Sequence, residues 1–166
     1  MDAGLLLARM VFGLLMAAHG AQKVFGWFGG YGLAGTGGFF ESLGFRPGKL
    51  FAGAAGATEI VAGLLVALGL FGPLGPAMIV SVMLVAASTV HWPHGLFAQN
   101  NGIEVPLLYG VAAAALALTG PGAYSVDAAM GLSWSEPVIW TVLALGVGGG
   151  VANLALRKTE PRAAHV

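Results

Sequence analysis

The sequence predicts an all-α fold: a polytopic membrane helix bundle, with a four-helix core and a fifth C-terminal transmembrane helix. Three observations predict it. Only 8% of the 166 residues are charged and 57% are hydrophobic, whereas a soluble domain is roughly 25% charged. Seven basic and seven acidic side chains cannot furnish a water-facing surface for a chain of this length. Five apolar runs are separated by Gly, Pro or charge, and the 28 glycines, unfavourable in water-exposed helices, suit membrane helices whose backbones approach closely.

The first run, Gly4 to Gln22, opens after Asp2 and closes before Lys23. Ala17-Ala18-His19-Gly20-Ala21 has a faint likeness to a signal-peptide cleavage site, but Asp2 is the only charge before the run and Arg9 lies inside it; residue 1 onward reads as mature protein. Residues 24–48 are rich in Gly and aromatics, including Trp27, Phe28, Tyr31, Phe39 and Phe40, as suits the headgroup zone. Within this interfacial segment Thr36 is placed to cap a short helix through Leu43, ended by Gly44; an irregular loop is the alternative.

The second run, Lys49 to Leu70, and the third, Leu74 to Trp92, are joined by Phe71-Gly72-Pro73, a turn tight enough to force an antiparallel hairpin. Gly53, Gly56, Ala57 and Gly63 give the second run a surface for close helix contact. The fourth run, Glu104 to Thr119, is shorter than the roughly 20 residues a span needs. The fifth, Pro137 to Leu156, begins at a proline, as the fourth nearly does at Pro106; a missing N–H is tolerated there. Residues 1–130 thus hold the first four runs, and 131–166 the fifth run and a short basic tail. Lys23, Arg46 and Lys49 lie in the first connection and Arg157, Lys158 and Arg162 in the tail. With five spans those regions share a side, so the N-terminus is expected outside and the C-terminus in the cytoplasm.

Ionisable groups inside hydrocarbon are costly and usually pair or line a site. Glu59 lies ten residues into the second run, about 15 Å deep, and Arg9 thirteen residues from the inner end of the first, about 20 Å. The depths nearly match, so a buried Arg9–Glu59 ion pair is expected. A second cluster gathers at the inner end: His19, Gln22, Lys23, His91, Trp92, His94 and Glu104. Here His19, Lys23, His91, His94 and Glu104 are candidates for catalysis, and His19, His91, Trp92 and Glu104 for holding a cofactor. His91 and His94 with Glu104 have elements of a metal site, yet Pro93 interrupts the helix between the histidines and no HExxH pattern exists. Haem between His19 and His91 is geometrically allowed but weaker still, and a polar interfacial network is the commoner outcome. A quinone head group is intermediate: it needs hydrogen-bond donors and a titratable group beside an apolar channel, which these residues supply. Zero net charge and no basic patch argue against a nucleic-acid partner, and zero cysteines exclude thiol chemistry.

Several strings together resemble the DoxX family of small bacterial membrane proteins. They are Leu7-Ala8-Arg9 with Gly13-Leu14-Leu15, His19-Gly20-Ala21-Gln22-Lys23, Glu59-Ile60-Val61-Ala62-Gly63, Glu104-Val105-Pro106-Leu107-Leu108, and Gly120-Pro121-Gly122-Ala123-Tyr124-Ser125-Val126-Asp127. The resemblance covers residues 5 to about 130; Ala128-Ala129 departs from it where a basic residue is expected. It implies a four-helix bundle in the bacterial inner membrane, and the polar residues of its pattern fall at Arg9, His19, Lys23, Glu59, Glu104 and Asp127, which supports their placement but no reaction. Relatives are linked to thiosulfate oxidation with electrons passed to quinone, or to accessory roles in redox complexes. For Asp127, capping a short helix near Ala128 outweighs a catalytic role or a contact with Arg9. The expected function is a quinone-linked redox protein or the membrane subunit of such a complex, with the lipid bilayer and other protein subunits as partners. The rivals are a non-catalytic anchor or assembly subunit and, behind it, a small-solute transporter.

Overall fold

The computed structural model describes residues 2–158. Its long helices are α1 (Asp2–Phe25), α3 (Gly48–Leu68), α4 (Leu74–Ala86), α5 (Glu104–Thr119) and α7 (Glu136–Ala155), with α2 (Gly32–Ser42) and the short α6 (Val126–Ala129) in connections; no strand occurs among the described residues. Among the described residues four helices are long and apolar enough to cross a membrane: α1, α3, Leu74–His94 (α4 with its continuation) and α7. At 16 residues α5 is shorter, reaching about 24 Å.

Close approach of α1 and α3 is written in glycine. A β-carbon built on Gly13 would collide with the carbonyl of Gly63, and one on Gly63 with that of Gly13; Gly20 stands in the same relation to the carbonyl of Gly56. The buried face of α3 therefore runs through Ala52, Gly56, Glu59, Gly63 and Val66. Of the small residues anticipated there, Gly56 and Gly63 face α1, Gly53 faces Leu33 of α2, and Ala57 is exposed.

The end of α3 is a Schellman closure: Gly69 at φ 63, with Gly69 N–H on Val66 O at 3.1 Å and Leu70 N–H on Leu65 O at 2.9 Å. The chain then turns through Phe71 and Gly72 into α4, completing the expected antiparallel hairpin. α4 packs against α3, α5 and α7, and Gly146 of α7 sits where a side chain would strike the Ala77 carbonyl. At the far end of α7, Lys158 N–H donates to Gly44 O at 2.8 Å, and Arg157 Nε donates to Leu43 O. The basic end of α7 and the basic first connection therefore share one end of the bundle; Arg162 lies outside the described residues.

The helix in the first connection starts earlier than expected, at Gly32. Thr36 is buried within it and caps nothing; Gly44, at φ 92, does follow its end. Packing on α3, with Gly37 pressed against Lys49, overrides the low helix propensity of Gly35, Gly37 and Gly38.

Candidate functional site

A cavity of about 790 Å³ opens at the end of the bundle where α1 finishes. α1 contributes Gln22 and Lys23; α2 and its approach contribute Tyr31, Thr36, Phe39 and Phe40. α3 adds Phe51, Thr58 and Glu59, α4 and its extension Ser81, Val85, Thr89 and His91, and α7 Gly149 and Asn153. The walls are thus aromatic and aliphatic, with a few hydroxyls and one ion pair.

That pair is Lys23–Glu59, with Nζ 2.6 Å from Oε2. The Glu59 side chain is only 3% exposed, whereas that of Lys23 is 27% exposed. Gly56 makes the pair possible, because a β-carbon there would press on Val24 and on the Lys23 stem. Both residues line the cavity; the carboxylate is nearly enclosed and held by its cation, while the ammonium has hydrogens beyond the one on Glu59.

The expected Arg9–Glu59 pair is not formed. Arg9 is buried one helix end away, where Nη1 donates to Val66 O at 3.3 Å and to Ala67 O at 3.2 Å, and Nη2 donates to Tyr124 O. The cause is register. α1 continues to Phe25 and α3 begins at Gly48, so Arg9 lies sixteen residues from the inner end of its helix and Glu59 only eleven from that of its own. Five residues correspond to about 7.5 Å along the axis, more than a turn. Arg9 instead satisfies carbonyls at the C-terminus of α3, which orphan acceptors and the helix dipole both favour.

Asp127 also differs from expectation. Ser125 caps α6, its side chain accepting from Ala128 N–H at 3.1 Å. Asp127 is buried and reaches the α3–α4 turn: Oδ1 accepts from Phe71 N–H at 2.8 Å, and Oδ2 from Gly72 N–H at 2.7 Å and Trp134 Nε1–H at 2.8 Å. This explains how Phe71, at φ 57, is held in the left-handed region.

The inner-end candidates separate into those on the cavity and those off it. Lys23 and His91 line it; His19, Trp92, His94 and Glu104 do not. His19 is exposed, its Nδ1 3.2 Å from Gln22 Oε1 and its ring edge-on to Tyr109. His94 Nδ1 bonds Val90 O at 2.9 Å, and Trp92 is 69% exposed. Glu104 Oε2 accepts from Ala98 N–H at 2.7 Å and so braces the loop before α5. Among the described residues no three His, Asp or Glu side chains converge as metal ligands.

Sequence reading did not mark Thr36, Thr58, Ser81, Thr89 or Asn153 as cavity residues. Nor did it find the π-helical turn Ala87–His91 that continues α4. There the hydroxyls of Ser88 and Thr89 donate to Leu84 O and Val85 O at 2.7 and 2.8 Å, a back-bonding that bends helices. Paired hydroxyls beside a histidine were the available signal.

A family model described as DoxX matches residues 4–92, a stretch holding every cavity-lining residue except Gly149 and Asn153; Glu104 and Asp127 fall beyond it. No curated protein and no solved structure matches the chain.

Proposed function

The chain belongs to the DoxX family and is a membrane protein with several candidate spans, and from that premise we propose that it is a quinone-linked redox protein or the membrane subunit of such a complex. The observation that carries this reading is the cavity: about 790 Å³, within the 300–1,000 Å³ common for small-molecule sites, apolar on its sides and bearing the Lys23–Glu59 pair. A quinone needs apolar walls for its ring and tail and a donor for a carbonyl oxygen; the aromatic walls supply the first and the Lys23 ammonium the second. Bound there, a quinone would supply two-electron acceptance. Glu59 fixes the Lys23 ammonium in place through the 2.6 Å contact. We read residues 1–130 as the family bundle, 131–166 as an appended helix and tail, and the setting as the bacterial cytoplasmic membrane.

The test is quinone content. Protein purified from membranes should retain extractable quinone. Lys23→Met should lose it, and so should Ala55→Phe, which fills the cavity without removing a charge. Equal content in all three, or none in the wild type, defeats the reading. A second reading, a non-catalytic anchor, is favoured by one observation: Glu104 and Asp127 both turn their carboxylates onto backbone N–H groups, a structural use.

A further inference from the structure

Among the described histidines only His91 lines the cavity. Its Nδ1 lies 2.8 Å from the carbonyl oxygen of Asn101, which is not a cavity residue. A carbonyl oxygen only accepts, so Nδ1 carries the hydrogen, and in the neutral ring Nε2 keeps an open lone pair. No group among the described residues bonds that second nitrogen.

Both partners are held by unusual backbone. Asn101 sits at φ 61, in the left-handed region that Asn tolerates better than most side chains. Its loop is pinned by Ile103 N–H on Gly95 O at 2.9 Å, Glu104 N–H on Leu96 O at 2.8 Å and Gly102 N–H on Phe97 O at 3.0 Å. The Glu104 carboxylate on Ala98 N–H adds a fourth tie. On the other side, His91 is the last residue of the π-helical turn, an irregularity frequent at functional sites. Two departures from regular geometry thus converge on one imidazole and leave Nε2 as its nitrogen without a protein partner.

We propose that His91 is a specificity residue of the cavity, its Nε2 accepting a hydrogen bond from a hydroxyl of the bound head group, so that a hydroxyl-bearing ring is preferred over the corresponding dione. This rests on the quinone reading of the cavity and adds the oxidation state that the cavity selects. Lys23, with ammonium hydrogens beyond the one on Glu59, serves an acceptor oxygen of either form. At His91 the two forms differ: a hydroquinone hydroxyl completes the lone pair, while a dione oxygen sets lone pair against lone pair and leaves both unsatisfied. The inference concerns binding, and no proton or electron moves in it.

The experiment measures binding of three probes to the full chain in lipid nanodiscs, under anaerobic conditions: a short-chain benzohydroquinone, its dione and its dimethyl ether. The hydroquinone should bind about tenfold more tightly than either of the others. His91→Phe should bring the ratio to about one, whereas Asn101→Gly, which keeps both the carbonyl and access to positive φ, should preserve it. Equal affinity for all three probes in the wild type overturns the inference and leaves the quinone reading standing, as does an unchanged preference in His91→Phe. Binding of none of the three by the wild type removes the quinone reading and the inference together. Should His91→Phe fail to fold, the wild-type probe series decides alone.

Discussion

Lys23 and Glu59 meet across the α1–α3 contact at 2.6 Å on the cavity wall, Lys23 with 27% of its side chain exposed and Glu59 with 3%. The pair is therefore asymmetric. Removing Glu59 leaves an ammonium that is 27% exposed and can turn to water or headgroups. Removing Lys23 leaves a carboxylate with 3% exposure, which must give up its charge or draw water into the bundle. Lys23→Met should cost on the order of 3–5 kcal/mol, and Glu59→Gln clearly less. The double substitution should recover most of the loss. Thermal melting of the four proteins in one detergent provides the cycle; equal losses for the two single variants would refute the asymmetry.

Arg9 serves a different part of the fold. Its guanidinium holds the Val66, Ala67 and Tyr124 carbonyls, and hydrogen bonds from charged groups are worth about 1.5–3 kcal/mol each. Arg9→Met should thus lower stability by at least about 2 kcal/mol, and Arg9→Lys should restore part of it. Because Arg9 and Glu59 share no partner, Arg9→Met and Glu59→Gln should add to within about 0.5 kcal/mol. A larger coupling in the melting data would restore the direct pair and contradict the observed geometry.

These two residues mark where the sequence is legible and where it is not. Gly, Pro and charge bracket each apolar run, so the runs at 49–70 and 104–119 correspond closely to α3 and α5. The pairing of helices is a different matter. It depends on where α1 and α3 end and on which glycines face each other, and an uncertainty of a few residues at each end moves a deep charge by a full turn. The sequence could therefore show that Glu59 needs a cation, but not that Lys23, rather than Arg9, supplies it. The cavity hydroxyls were hidden for another reason. Thr and Ser bond their own helix carbonyls, as Thr89 does with Val85 O, and so leave little trace in an apolar run. Glu104 and Asp127 stood out as charges; their use on backbone amides appeared only with the loops they hold.

Asp127 ties the α3–α4 turn to the segment before α7 through three hydrogen bonds. Asp127→Asn replaces one acceptor oxygen by a donor that faces Phe71 N–H or Gly72 N–H. Either the Phe71 amide, or the Gly72 amide together with the Trp134 indole, then loses its partner, at roughly 1–3 kcal/mol for each buried group. Hydrogen exchange at Phe71 and Gly72 should accelerate by at least about tenfold, while exchange at the cavity end, around Thr89, stays unchanged. Uniform acceleration over the whole chain would mean that the turn is no separate unit.

Orientation can be read by chemistry because the chain has no cysteine, so each introduced thiol reports alone. Lys23, Arg46, Lys49, Arg157 and Lys158 fall at the bundle end where α1 finishes and α3 begins, a grouping joined by the Lys158–Gly44 and Arg157–Leu43 contacts. At the other end Arg9 is buried among carbonyls, so it offers no charge to a membrane surface. Lysine and arginine are retained on the cytoplasmic side. Ser42→Cys and Ala98→Cys should therefore react with a membrane-impermeant maleimide only in inverted vesicles, and Ser133→Cys in intact spheroplasts; all three positions are exposed. The opposite labelling would invert the topology and put the cavity mouth outside. Labelling of Ser42→Cys and Ser133→Cys from the same face would contradict the alternation of α1, α3, α4, α5 and α7 itself.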